Sequence, residues 1–211
     1  MSRLFGLYLV TPGTPMAPAD LAAIVERAIR GGARLVQYRD KDADPATRIA
    51  KAEALLGLCR ARGVPLIVND DLGLAARIGA DGVHLGRDDP DPRLARARLG
   101  PDALIGVSCY ADLARALDAA TAGADYLAFG SFFRSTTKPN ALRADPALLR
   151  GARKTLGRPL VAIGGITPDN GGPLIAAGAD MLAVVSGVFD APDCEAAARA
   201  YTRLFPTEDS R

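Results

Sequence analysis

Two cations and an amide alternate along one polar segment of the chain, Gln37-Tyr38-Arg39-Asp40-Lys41, which directly follows an apolar run. Because side chains alternate along a strand, we expect Gln37, Arg39 and Lys41 to share one face. An arginine forks to two phosphate oxygens, whereas a lysine supplies a movable point charge. The segment therefore predicts a diphosphate site, with a loop of ion pairs to Asp40 and Asp42 as the alternative.

Carboxylates follow the next two apolar runs. Asn69, Asp70 and Asp71 come after the first, and Asp88 and Asp89 come after the second. Mg²⁺ typically takes one or two carboxylates and completes its octahedron with water and phosphate oxygens. Carboxylates opposite a basic segment therefore predict a Mg²⁺ site. Asp71 and Asp88 have a second reading, as caps of the helices that follow them.

A serine at a strand end and the single histidine of the chain are further candidates. Ser108 follows the fifth apolar run, and with no histidine expected within reach we interpret it as a hydrogen-bonding group rather than a nucleophile. His84 lies within the fourth run. We expect it to be a hydrogen-bonded barrel residue rather than a catalyst.

The longest polar stretch follows the sixth apolar run, from Gly130 to Asn140. Its hydroxyl residues Ser135, Thr136 and Thr137 stand beside Lys138. A segment this long, with hydroxyls beside a cation, predicts a lid that closes over a phosphate. A mobile surface loop is the alternative.

Glycines follow the seventh and eighth runs, as Gly164-Gly165 and as Val185-Ser186-Gly187. Loops in these places often hold a phosphate on backbone N–H groups, and glycine allows the close approach. Turn geometry is the alternative for the glycine pair. The sequence thus predicts a metal-assisted diphosphate site and a neutral monoester site, with no obvious general base between them. This arrangement indicates a transfer in which a diphosphate leaves and a phosphorylated acceptor attacks.

The elements that must position these residues follow from a repeat. Gly-Ala pairs recur about every 50 residues, each after an amphipathic segment and before a short apolar run. A helix end needs a residue with positive φ, and an apolar run this short is typical of a buried parallel strand. The pairs begin at Gly32, Gly79, Gly123 and Gly178. With the further runs 7–10, 65–68, 103–107 and 159–163, eight strands alternate with helices, which predicts an α/β fold, a (β/α)8 TIM barrel. The helices are expected to begin near residues 18, 45, 72, 92, 111, 146, 168 and 194.

Composition limits the remaining possibilities. The 211 residues suit one barrel domain over 1–211, with a tail from about 206 to 211 expected to fray. A net charge of +2 does not indicate nucleic acid as the main partner. No run approaches the roughly 18 residues of a membrane span, and no signal peptide is evident, so we expect no membrane partner. Three scattered cysteines predict reduced thiols and a cytoplasmic location. The oligomeric state is left open, and a homo-oligomer is compatible with the sequence.

Seven of these motifs, in this order and on these strands, resemble the thiamine-phosphate synthases over nearly the whole chain. They are residues 7–11, 37–41, 69–70, 81–89, 106–108, 135–138 and 163–167, continued by Val185-Ser186. The chain departs from the family's pattern at three positions. Pro12 stands where an acidic residue is frequent, Tyr110 where a histidine is frequent, and Arg134 where a proline is frequent.

The resemblance implies a transferase that joins two small phosphorylated heterocycles. Aminomethylpyrimidine methyl diphosphate and thiazole ethyl phosphate would give thiamine monophosphate and pyrophosphate. The C–O bond would break first, and the thiazole nitrogen would capture the pyrimidine cation. Such a reaction needs positioning and stabilisation of the leaving group more than a base.

The resemblance also implies roles for individual residues. Mg²⁺ would be the cofactor, bound by Asp70 and Asp89. Arg39, Ser108 and Lys138 would be catalytic. The pyrimidine diphosphate would be held by Gln37, Tyr38, Arg39, Asp40, Lys41, Asn69, Ser108 and Lys138. The thiazole phosphate would be held by Ser135, Thr136, Thr137, Gly165, Val185 and Ser186.

Three other functions are weighed against this one. A thiazole tautomerase is a similar barrel, but an isomerase has no diphosphate to expel and no need for both the carboxylate pair and the three cations. A sugar-phosphate isomerase or epimerase would need a dedicated acid–base pair. A phosphate-ligand sensor without catalysis would bind but not turn over.

Overall fold

The apolar runs form parallel strands that close into a barrel in chain order, β8 pairing with β1. The computed structural model describes residues 4–134 and 143–206. The predicted single-domain (β/α)8 barrel is confirmed. Its strands are β1 (Gly6–Val10), β2 (Ala33–Tyr38), β3 (Leu66–Asn69), β4 (Gly82–Leu85), β5 (Leu104–Tyr110), β6 (Tyr126–Phe129), β7 (Leu160–Ile163) and β8 (Met181–Val184).

Helices follow the strands on the outside of the barrel. Each predicted helix is present, with bounds within a few residues of those expected. One short helix, α8, was not predicted, because one turn is too short to show a periodicity. The helices in the described ranges are α1 (Pro18–Arg30), α2 (Pro45–Arg62), α3 (Leu72–Ile78), α4 (Pro92–Leu99), α5 (Leu113–Thr121), α6 (Pro146–Thr155), α7 (Pro168–Ala176), α8 (Ser186–Phe189) and α9 (Cys194–Thr202).

Asp-Pro pairs set where several helices begin. Before α2, the carboxylate of Asp44 accepts hydrogen bonds from the amides of Ala46 and Thr47, both at 3.0 Å. Pro45 occupies the first turn, where a missing N–H costs nothing and φ is already helical. The same arrangement begins α4 and α6. These local signals explain why helix starts could be predicted closely.

Alternate strand residues divide the apolar side chains into two cores. The outward residues, such as Leu7 and Leu9, pack against helix residues such as Val25. The inward residues fill the barrel and make up a separate core of Tyr8, Val10, Leu35, Ile67, Tyr126, Ala128, Val161, Met181 and Ala183. This alternation decides which polar residues at the strand ends can face the barrel axis.

Three of the four Gly-Ala repeats continue with an aspartate, and these aspartates join neighbouring strands. Asp81 Oδ2 accepts a hydrogen bond from the amide of Leu66 at 2.8 Å, at the start of β3. Asp125 and Asp180 bind the amides of Ile105 and Leu160 in the same way, at 2.7 and 2.8 Å. The repeated glycines have positive φ, at Gly32 (105°), Gly79 (68°), Gly123 (93°) and Gly178 (116°). In these repeats the glycine follows the end of a helix, and the aspartate accepts a hydrogen bond from an amide at the start of the neighbouring strand.

The cysteines Cys59, Cys109 and Cys194 are unpaired and buried. Burial raises the pKa of the Cys59 and Cys109 thiols to about 12.

Within residues 4–134 and 143–206, no helix is long and apolar enough to cross a membrane. Residues 207–211, to which the expectation of a frayed tail mainly applies, lie outside the described part.

Candidate active site

A cavity of about 520 Å³ opens at the carboxyl ends of the strands. Every strand contributes to its lining, either directly or through the residues that follow it. This is the end of a (β/α)8 barrel at which active sites are found. Among the residues predicted from the sequence, those that line it are Gln37, Arg39, Asn69, Ser108, Gly165, Val185 and Ser186.

The polar segment after β2 divides between the cavity and the helix layer. Gln37 and Arg39 line the cavity, whereas Tyr38 packs in the outer core. Thr11 holds the main chain of Arg39, since its hydroxyl donates to the Arg39 carbonyl at 3.1 Å and accepts from the Arg39 amide at 2.9 Å. The alternation that brings Gln37 and Arg39 together directs the side chains of Tyr38 and Asp40 away from the cavity. The predicted diphosphate-binding role of those two side chains is therefore not supported by their placement.

Asp40 instead forms a buried ion pair with Lys51 of α2. Lys51 Nζ lies 2.8 Å from Asp40 Oδ2, and each side chain is only 3% exposed. Lys51 also donates to the carbonyl of Thr14 at 3.0 Å. Burial by itself would raise the pKa of Asp40, but the hydrogen bonds from Lys51 and from the amides of Ala43 and Asp42 outweigh it and lower the pKa. The pair fastens the loop after β2 to α2.

Asp70 and Asp89 come together beside Lys41. Lys41 Nζ lies 2.8 Å from Asp70 Oδ2, and the carboxyl group of Asp89 lies close enough to Asp70 for each to shift the pKa of the other. Burial disfavours charge on both, but Lys41 lowers the pKa of Asp70, whereas burial and Asp70 raise the pKa of Asp89. Asp70, the first residue after β3, has a φ of 61°, which is uncommon for a non-glycine residue. The main chain therefore leaves the extended conformation of the strand at this residue.

The donor chemistry of this pair fits a hard divalent cation. Two neighbouring carboxyl groups supply hard oxygen ligands, and a bound divalent cation would compensate the repulsion between them. Gly86, whose amide donates to Asp89 Oδ2 at 2.5 Å, helps to fix that carboxyl group. Within the described ranges, no group of three or more histidine, cysteine or acidic residues forms a metal cluster, so further ligands would come from water or phosphate.

Polar side chains form a hydrogen-bonded chain across the floor of the cavity. His84 Nε2 lies 2.9 Å from Ser108 Oγ, so the expectation that no histidine reaches Ser108 is wrong. The chain continues from His84 to Tyr126, Tyr8 and Gln37. Sequence reasoning missed both tyrosines because they lie within apolar runs. Both tyrosines occupy alternate strand positions that point into the barrel, and this alternation is the signal that could have found them.

Arg115 ties together the ends of β4 and β5. Its Nε donates to the carbonyl of Ser108 and its Nη2 to the carbonyl of Gly86, each at 2.8 Å. Arg87 lies over the ring of Tyr110, 5.0 Å from the centroid. Tyr110 has a φ of 56°, so the chain turns sharply here. These contacts set the position of the main chain around Ser108.

The loops after β7 and β8 present main chain to the cavity. Gly164 and Gly165 have φ values of 104° and 62°. A β-carbon on Gly165 would lie 2.3 Å from the carbonyl oxygen of Arg134, so only glycine fits. The short helix α8 begins at Ser186, and the first N–H groups of a helix have no partner within it. Glycine loops and a short extra helix after the last two strands are the usual phosphate site of such barrels.

Part of the predicted site is outside the described residues. Ser135, Thr136, Thr137 and Lys138, and with them the predicted lid, belong to the segment 135–142.

A (β/α)8 barrel with glycine-rich main chain after β7 and β8, and cations beside paired carboxylates after β2 to β4, is the architecture of an enzyme that acts on small phosphorylated ligands. Residues 7–188 match the family model described as thiamine monophosphate synthase. The chain belongs to this family.

Individual relatives agree over nearly the whole length. The chain is 58% identical to the thiamine-phosphate synthase of Thiobacillus denitrificans, covering 96% of each chain. It is 57% identical to that of Azoarcus sp., covering 96% of this chain and 98% of the relative. Among solved structures, the thiamine phosphate pyrophosphorylase from Pyrococcus furiosus superposes with a TM-score of 0.83 at 32% identity, covering 96% of each chain.

Proposed function

We propose that this protein is a thiamine-phosphate synthase, a transferase that joins aminomethylpyrimidine methyl diphosphate to thiazole ethyl phosphate and releases pyrophosphate. The observation that carries this function is identity of more than half to thiamine-phosphate synthases over almost the full chain. The cavity supports it, because a cationic end and a main-chain phosphate site open onto one space.

The cationic end would bind the pyrimidine diphosphate. Arg39 reaches the cavity from β2. Lys41 follows two residues later and pairs with Asp70. Asn69 and Ser108 add neutral hydrogen-bonding groups, and Lys138 joins them by resemblance. The placement of Gln37 within the barrel suits a contact with the pyrimidine ring rather than the diphosphate.

The other end would bind the thiazole phosphate. Gly165, Val185 and Ser186 line the cavity there, and the resemblance adds Ser135, Thr136 and Thr137. Backbone N–H groups at this end carry no net charge, which suits a monoester more than a diphosphate. The two phosphate groups would then lie at opposite sides of the mouth, with the two rings between them.

Asp70 and Asp89 would hold Mg²⁺. When bound, the ion would supply positive charge that stabilises the leaving diphosphate. Lys41 would then be free to exchange its bond to Asp70 for a phosphate oxygen. The half-exposed position of this ion pair supports such an exchange, because exposed ion pairs are weak.

The described residues at the mouth favour substitution in which the leaving group departs first. Arg39 would neutralise charge that grows on the diphosphate as the C–O bond breaks, an interaction that strengthens toward the transition state. Ser108 would donate a hydrogen bond and hold the pyrimidine substrate in place. The walls contributed by Val161, Ile163 and Ala183 would exclude water, which competes with the thiazole nitrogen for the cation.

One assay tests this function against its rivals: release of pyrophosphate with both substrates, and with each omitted in turn. A synthase releases pyrophosphate at a substantial rate only with both present. Isomerisation of a thiazole phosphate without the pyrimidine would indicate a tautomerase. Binding of both ligands without turnover would indicate a sensor.

We also propose a cytoplasmic location, which the three unpaired cysteines support because thiols stay reduced there. Association into a homo-oligomer is compatible with this function and would be tested by the mass of the purified protein in solution.

A further inference from the structure

Five polar side chains link opposite sides of the barrel beneath the cavity. Gln37 Nε2 lies 2.6 Å from Tyr8 Oη, and Tyr8 Oη lies 2.7 Å from Tyr126 Oη. Tyr126 Oη lies 3.1 Å from His84 Nδ1, and His84 Nε2 lies 2.9 Å from Ser108 Oγ. Four of its members, Gln37, Tyr8, His84 and Ser108, line the cavity, and Tyr126 lies behind them, so the chain connects the two end groups along the cavity wall.

The two phenols at its centre are fully buried and neutral. Burial raises the pKa of Tyr8 and of Tyr126 well above the ordinary value for a tyrosine. A neutral phenol has one proton to donate, and its oxygen can accept as well. Each phenol therefore passes the direction of hydrogen bonding from one neighbour to the next.

The direction of the whole chain follows from its first member. With the Gln37 amide N–H donating to Tyr8, the buried Tyr8 proton is satisfied by going to the hydroxyl of Tyr126. The Tyr126 proton then goes to His84 Nδ1, which must be unprotonated to accept it. The ring proton of a neutral His84 is therefore on Nε2 and points to Ser108 Oγ, which leaves the hydroxyl proton of Ser108 for another acceptor.

We propose that Tyr8 and Tyr126 are positioning residues that hold His84 as the neutral Nε2–H tautomer. They thereby make Ser108 a donor, and the Gln37 carbonyl an acceptor, toward the cavity. The nature of the ligand rests on the proposed function. An aminopyrimidine carries an amino group that donates and ring nitrogens that accept, which complements this pair.

The same direction removes a nucleophilic role from Ser108. A histidine that donates to a serine cannot at the same time take its proton, so the His84–Ser108 contact is not a nucleophile and its base. The opposite direction makes an equally definite prediction. If the oxygen and nitrogen of the Gln37 amide were exchanged, every hydrogen bond in the chain would run the other way, and His84 would carry its proton on Nδ1. The tautomer of His84 therefore reports the direction of the whole chain.

Because the sequence has a single histidine, the tautomer of His84 can be measured without resonance assignment. Nitrogen NMR of ¹⁵N-histidine-labelled protein, prepared without a histidine tag, distinguishes a protonated ring nitrogen from an unprotonated one. In the wild type we expect an unprotonated Nδ1 and a protonated Nε2 at neutral pH. A protonated Nδ1 would overturn the proposal.

Two tyrosine variants test the positioning role. Tyr126→Phe keeps the ring but removes the donor to Nδ1, so we expect the two tautomers to exchange and the KM for the pyrimidine substrate to rise about two- to tenfold. The KM for the thiazole phosphate should change little. An unchanged single tautomer in a folded Tyr126→Phe protein would refute the role.

Tyr38→Phe is the matched control for the NMR signal, because it removes a buried phenol oxygen that has no hydrogen-bond partner among the described residues. Tyr8→Phe keeps the Tyr126–His84 contact but disconnects it from Gln37, so the direction of that hydrogen bond is no longer fixed and we expect the two tautomers of His84 to exchange in this variant as well. If Tyr126→Phe does not fold, the wild-type spectrum still decides the direction. The spectrum needs no turnover, so failure of this inference is distinct from failure of the pyrophosphate assay.

Discussion

Lys41 and Asp70 are held together as an ion pair, with Nζ 2.8 Å from Oδ2. A cation predicted to bind diphosphate thus neutralises a carboxylate predicted to bind metal. Both side chains keep substantial contact with solvent, so the pair is weak and can be exchanged for ligands of the same charges. The structure is therefore consistent with a site whose charges are balanced before substrate and cation arrive.

Activity should require a divalent cation, and Asp70→Asn should lower it by at least about tenfold, because the pair would lose half of its carboxylates. The measurement is the initial rate of pyrophosphate release against Mg²⁺ concentration, with circular dichroism to verify folding. Asp71→Asn is a matched control, because Asp71 caps α3 and pairs with Arg48, and asparagine caps helices well. Undiminished turnover in excess chelator would contradict this prediction.

Arg39→Ala should weaken binding of the pyrimidine diphosphate and leave binding of the thiazole phosphate nearly unchanged. Loss of a charge-assisted hydrogen bond to phosphate costs about 1.5–3 kcal/mol. Calorimetric titration of each substrate separately gives both affinities. Arg93→Ala, at an exposed arginine of α4, serves as the comparison. Similar losses for both substrates would show that the two ends of the cavity have been assigned wrongly.

Lys51→Met should destabilise the protein by about 3 kcal/mol at neutral pH, because Asp40 would be left buried without its partner. The cost should shrink in acid. A carboxylate with a lowered folded pKa contributes stability above its unfolded pKa, near 4, and loses that contribution as the pH falls through the folded pKa. In the variant, protonation would relieve the unpaired charge instead.

Urea unfolding of wild type and Lys51→Met at neutral pH and near pH 3 tests this prediction. Arg93→Met removes a partner of Asp91 in a pair whose side chains are 66% and 52% exposed. Its effect should stay below about 1 kcal/mol at either pH. A difference between wild type and Lys51→Met that stays constant with pH would count against the pair as the cause.

Gly106→Ala should destabilise the barrel by about 1–3 kcal/mol through overpacking. The added β-carbon would lie 2.0 Å from Cζ of the buried Tyr126 ring, which has no room to move. Gly151→Ala, inside α6 with no atom near the new carbon, should stabilise by about 0.5–1 kcal/mol. Thermal unfolding of both variants tests the contrast. Equal effects would mean that Gly106 is not needed for clearance.

Strand order, helix starts and the residues at the mouth could be predicted because each depends on local signals. Asp44-Pro45 begins a helix because the aspartate caps the turn that follows it. Gly165 could be predicted because a glycine at a strand end indicates that main chain, not a side chain, faces the ligand. Lys51 could not be found in this way, since a lysine on a helix is ordinarily exposed and its partner Asp40 lies on another element. The same holds for Tyr8 and Tyr126, whose hydroxyl groups meet only when β1 and β6 face each other across the barrel.

The burial of all three native cysteines has a practical consequence. Thiolate is the form that reacts with alkylating dyes, and the raised pKa of Cys59 and Cys109 keeps those two thiols protonated. A cysteine introduced at Ala111, which lines the cavity and is exposed, would then be the preferred point of attachment for a fluorophore. The native cysteines would therefore add little unwanted labelling, and the labelled protein could serve as an optical sensor of its own substrates.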